Sequence, residues 1–128
     1  MPVEYVRFRS TSPNKNGLHV GVFGLVNGLG RNWMLAPDEW RFWRENNDWY
    51  DAAFPQPPVY REKVHPRAAA WFKSTASDFL ERVPGYLAIL DAHRIAWEEV
   101  RTTDPGTIIY EDEYQVVAIP VEGEFPNR

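Results

Sequence analysis

With 128 residues, 44% apolar and 25% charged, the chain has the make-up of one globular domain, 1–128 with a polar tail over 122–128, rather than of a disordered, collagenous or membrane-spanning protein. Fourteen basic against eighteen acidic side chains leave a net charge of −4, which argues against nucleic acid as a partner. The absence of cysteine removes disulfide scaffolds, thiol catalysis and thiolate metal sites, and fits a reducing compartment.

Val3-Glu4-Tyr5-Val6-Arg7-Phe8-Arg9 is rich in β-branched and aromatic residues and predicts a strand, closed by a turn-forming run from Ser10 to Gly17. Its charges, and the lack of any long apolar run, predict no signal peptide and no membrane span, hence a cytoplasmic location. Leu18-His19-Val20 reads as a short second strand. It feeds a short helix, because Val22, Leu25, Val26 and Leu29 recur at helical spacing. Gly17, Gly21, Gly24 and Gly28 fall on one stripe of the same wheel, and glycine costs a helix about 1 kcal/mol relative to alanine at each interior site. Something should therefore approach that backbone closely.

Pro37-Asp38-Glu39 predicts a helix start, with proline at the first position and acids where the dipole favours them, and the helix should run to Ala53. Trp40, Trp43, Tyr50 and Phe54 form one stripe with Asn47 in their midst, while Phe42 and Trp49 point elsewhere. The proline-rich stretch to Pro66 reads as an ordered loop. His65-Pro66-Arg67 then opens a second helix, with Ala68, Trp71, Phe72, Thr75, Phe79 and Val83 on one face and Pro84 as its breaker. Gly85 to His93 makes a third.

Ile95 to Arg101 reads as a strand and Thr103-Asp104-Pro105-Gly106 as a turn. Thr107–Tyr110 and Tyr114–Val121 frame an acidic tip, Glu111-Asp112-Glu113, as a closing hairpin. Val116 to Ile119 is apolar on both faces and so belongs inside the sheet. The expected fold is α+β: a mainly antiparallel sheet of about four to five strands, with two or three helices packed on one face.

The hairpin segment Ile108-Ile109-Tyr110-Glu111-Asp112-Glu113-Tyr114-Gln115-Val116-Val117-Ala118-Ile119-Pro120 resembles that of histidine-triad nucleotide hydrolases and is similar to an early segment of large pseudouridine synthases. The first family's alternating histidines are absent, and the second's catalytic aspartate position is Ala96 in His93-Arg94-Ile95-Ala96. The resemblance implies a hairpin and no activity.

Chemistry is sparse in this chain. His19, His65 and His93 share no metal-ligand spacing, and no phosphate-loop, dinucleotide or nucleophile-elbow pattern occurs, so neither metal nor cofactor is expected. Two functional readings follow. In the first, the chain is a non-enzymatic binding or interaction module, a homodimer or a partner of another protein, using the aromatic-rich helix with Trp33, Phe42 and Trp49 as its surface. In the second, it is a small enzyme or ligand-binding protein for an anionic, nucleotide-like molecule. That reading uses Arg7 and Arg9 on one strand face, His19 at the Gly-rich junction, and Arg44, Asn47, Tyr50 and Asp51 from the helix. Each residue also has a plain role to fall back on: solvated sheet face, core histidine, core aromatic. Asn47 is the sharpest case, because a polar residue on an apolar stripe must find partners or cost about 1–3 kcal/mol.

Overall fold

The computed structural model describes residues 3–53 and 67–120. Five strands, β1 (Tyr5–Ser10), β2 (Ala69–Lys73), β3 (Trp97–Thr102), β4 (Thr107–Glu111) and β5 (Gln115–Ile119), form one sheet in the order β3-β1-β2-β5-β4. Every neighbouring pair is antiparallel. The helices among the described residues are α1 (Val22–Arg31), α2 (Pro37–Ala53), a single turn α3 (Ser77–Leu80) and α4 (Val83–Ala92). This is the expected α+β architecture.

Strand alternation divides the sheet into two faces. Phe8 of β1 and Phe72 of β2 pack with Val22, Val26, Trp43, Tyr50, Tyr86 and Leu90 of the helices. Tyr5, Trp71, Val116 and Ala118 gather on the other face with Val100. Phe23 of α1 joins the two layers, with its ring edge-on to Phe72, Tyr50 and Tyr86 at 5.9, 5.1 and 4.8 Å. Edge-to-face pairs of this kind contribute about 0.5–1.5 kcal/mol each beyond their buried area.

Helix α2 keeps its predicted bounds for the expected reason. Ala36 donates its N–H to Glu39 Oε1 at 2.9 Å, so the third helical residue reaches back to cap the start. The same oxygen meets His93 Nε2 at 2.9 Å, tying the start of α2 to the end of α4. The stripe is rotated from expectation, however: Trp43, Asn46 and Tyr50 are buried, and Trp40 is turned out. Helix α2 touches both α1 and α4, so its inward face is wide enough to take in Phe42 and Trp49 as well.

The helix expected from Arg67 to Val83 is a correction. Ala69–Lys73 is strand β2, followed by a turn and the short α3. Adjacent Trp71 and Phe72 lie on opposite faces of the sheet, an arrangement that suits a strand buried on both sides and defeats a periodicity count. Pro84 sits in the first turn of α4 rather than ending its predecessor, as its missing N–H permits. Leu18–Val20 is not a strand; one bridge between Arg9 and Gly21 and a Ser10 N–H to Val20 carbonyl bond of 2.7 Å hold it. Close approach falls on Gly30, where a Cβ would lie 2.5 Å from the Trp43 ring, and on Gly85, where it would lie 2.1 Å from Phe42. Along the predicted stripe the approach is uneven: a Cβ would lie 3.7 Å from Arg67 at Gly17, 3.5 Å from Arg7 at Gly21 and 3.2 Å from Val20 at Gly24, and would meet nothing within 4 Å at Gly28. Phe54 and the proline-rich loop lie outside the described residues.

Candidate functional site

On the face of the sheet away from the described helices is a cavity of about 490 Å³, lined by Arg7, Arg9, Gly17, Leu18, His19, Trp71, Val100, Thr102, Asp104 and Pro105 among others. Arg7 and Arg9 reach it because alternate residues of β1 share a face. The buried Arg7 guanidinium donates from Nη1 to the Ala70 carbonyl at 2.9 Å and from Nη2 to the His19 carbonyl at 2.6 Å. It thereby fastens the 11–20 loop and β2 to β1. Arg9 Nε donates to Glu98 Oε2 across the strand pair at 2.8 Å. His19 Nδ1 lies 2.9 Å from the Ser10 carbonyl, which only accepts, so Nδ1 carries the proton. Nε2 is then the ring's remaining polar atom.

The helix residues named with this group lie in the other layer. Asn47 Nδ2 donates to Asn27 Oδ1 at 2.9 Å, and the Tyr86 hydroxyl donates to Asn47 Oδ1 at 2.7 Å. Trp43 Nε1 donates to the same Asn27 oxygen at 2.8 Å. Asn47 thus faces inward as expected, and its partners are side chains rather than backbone. The Tyr50 hydroxyl donates to the Phe79 carbonyl. Arg44 bonds Asp48 at 3.1 Å and lies over Trp43, while Asp51 is exposed. Burial, which outweighs the opposing pull of Arg82, pushes the Tyr50 and Tyr86 hydroxyls far above the ordinary tyrosine value. Both act as hydrogen-bond donors rather than as bases.

Asn27 was missed by the sequence reading, though its signal was the same one that marked Asn47: a polar side chain among the apolar positions of α1. Asn46 has a comparable role, donating to the Phe42 carbonyl and accepting from Arg82 at 2.7 Å. Arg82 in turn lies 3.9 Å from the centre of the Trp49 ring. The acidic tip is likewise absorbed by structure, since Asp112 accepts from Tyr110, Tyr114 and Gln115 and Glu111 pairs with Lys73.

Of the three rings expected to face a partner, Phe42 and Trp49 pack within the chain, and Trp33 is 84% exposed. Met34, next to it at the corner between α1 and α2, is 57% exposed, and Trp40, in the first turn of α2 with its ring edge-on to Trp43, is 41% exposed. Met34 N–H donates to the Leu29 carbonyl and Trp33 N–H to the Gly30 carbonyl, at 2.9 and 3.2 Å. That pattern ends α1 in a Schellman motif, with Trp33 in the left-handed position at φ 57°.

Among the described residues no helix is long and apolar enough to cross a membrane. No family model, curated protein or solved structure shows significant similarity to the chain.

Proposed function

We propose that the chain is a non-enzymatic interaction module that pairs with a second copy of itself through the corner between α1 and α2. The observation that carries this reading is Trp33, a bulky ring at a left-handed position that ordinarily takes glycine, held almost wholly in solvent. The conformation costs a non-glycine residue roughly 1–2 kcal/mol. Within one chain the exposed indole recovers little of that, whereas burial against a partner would return on the order of 1.5–3 kcal/mol. Met34, next to Trp33 in the chain, adds a second exposed apolar side chain of the type that anchors interfaces.

A second copy suits the charges of α2. Arg44 is paired with Asp48 within the chain, which leaves Arg41 exposed toward the start of α2 and Asp51 toward its end, so an antiparallel copy sets each Arg41 near the other's Asp51. Sedimentation velocity over a concentration series is the test. The wild-type chain is expected to show a concentration-dependent dimer, and Trp33→Gly a monomer that is more stable by about 1 kcal/mol. Arg94, at φ 58° after α4, is the control: Arg94→Gly should gain similar stability and keep the dimer. A wild-type chain that stays monomeric at every concentration overturns the proposal.

A further inference from the structure

We infer that the cavity on the face of the sheet away from the described helices binds a small organic anion, a carboxylate or a phosphate monoester, between Arg9, Arg7 and His19. This goes beyond self-pairing and rests on different residues.

Three separate stretches of chain converge there: β1 through Arg7 and Arg9, the loop through Gly17 to His19, and the end of β3 with its turn through Val100 to Pro105. The volume of about 490 Å³ is that of a small-molecule site, which commonly spans roughly 300–1,000 Å³. A macromolecular polyanion is disfavoured by the net charge of −4, whereas one local group of cations is enough for a single small anion.

The three groups differ in what they supply. Arg7 is held by two carbonyls among its contacts, so the loop wall that it fastens is already in place and no ordering is needed there on binding. Arg9 is adjustable. Its pair with Glu98 is partly solvent-exposed, at 24% and 37% for the two side chains, and pairs of that kind contribute about 0–1 kcal/mol. An incoming anion can share the guanidinium or replace Glu98 at small cost, and the planar fork of arginine suits carboxylate and phosphate alike. His19 directs Nδ1–H to Ser10, which assigns Nε2 to the ligand: it donates when the imidazole is charged and accepts from a protonated ligand oxygen when it is neutral. Leu18, Val100 and Pro105 add apolar wall for the rest of the molecule. Asp104 is the one carboxylate among the described lining residues, and its Oδ1 already accepts the Gly106 N–H at 3.2 Å.

The test is a chemical-shift titration of the full chain with inorganic phosphate, benzoate and adenosine monophosphate, and with adenosine as the neutral control. Anions are expected to move the backbone amides of 17–19 and 100–104 in a saturable manner, and adenosine to leave them unmoved. Arg9→Gln should weaken the best anion about tenfold, and Glu98→Gln, which releases Arg9, should tighten it several-fold. Both positions are partly exposed, so neither change should unfold the chain, and Arg7 is left in place because it fastens the loop. Absence of saturable shifts with all three anions overturns the inference, as does equal affinity in wild type, Arg9→Gln and Glu98→Gln. Trp33→Gly should bind the anion as wild type does, so failure here and failure of self-pairing are read separately.

Discussion

The carbonyl oxygen of Asn27 accepts from both Trp43 and Asn47, and Asn47 accepts from Tyr86, so one short chain of hydrogen bonds ties α1, α2 and α4 together. Replacing Asn47 with Leu orphans the hydroxyl of the fully buried Tyr86, and stability should fall by about 1–3 kcal/mol in denaturant titrations. Anion binding at the sheet should not change. Asp112 makes a different prediction. Burial works against its charge, but the Tyr114 N–H, the Gln115 side chain, the Tyr110 hydroxyl and the Gln115 N–H together hold its carboxyl below the ordinary value. The folded form therefore binds fewer protons than the unfolded one, and stability rises with pH across that interval. The contribution of the charge should be complete above the ordinary aspartate value of about 3.9 and vanish as pH falls through the lower folded value. Unfolding of wild type and Asp112→Asn, followed from neutral to strongly acid pH, should thus converge at the acid end.

Neighbouring glycines in α1 give opposite expectations. Gly28 has open space around a notional Cβ, so Gly28→Ala should stabilise the protein by about 0.5–1 kcal/mol. Gly30 lies against the Trp43 ring, whose indole N–H is held by Asn27, so Gly30→Ala should cost about 1–3 kcal/mol by overpacking. Thermal melts of the two variants, shifted in opposite directions, check both. Sequence distinguishes these two sites poorly, because the contact that matters comes from another helix. The same limit explains β2: Trp71 and Phe72 are each apolar, and only the presence of a layer on both sides of the sheet makes a strand of them. The start of helix α2 was legible because its signals, Pro37, Asp38 and Glu39, act within one turn. Arg7, Arg9 and His19 were legible as a group because β1 alternation and the following loop are local. The inward partner Asn27, and the outward turn of Trp40, depend on how the helices are rotated against one another.

The two proposed surfaces belong to different layers of the molecule, the corner to the helices and the cavity to the far face of the sheet. Loss of one should leave the other's affinity unchanged, since no side chain is shared. Within the sheet, β1 has its place between β3 and β2, pairing Tyr5 with Thr102 on one side and with Lys73 on the other. The first of the five strands to be made is thus completed by the third, nearly ninety residues later. At a synthesis rate of about 5–20 residues per second, β1 waits on the order of 5–20 s for its outer neighbour to be made. A strand of Tyr, Val and Phe left that long without its ladder is an invitation to stray pairing, and Arg7 and Arg9 are the kind of charge that deters it. Before Arg7 and Arg9 line a cavity, they guard a nascent chain.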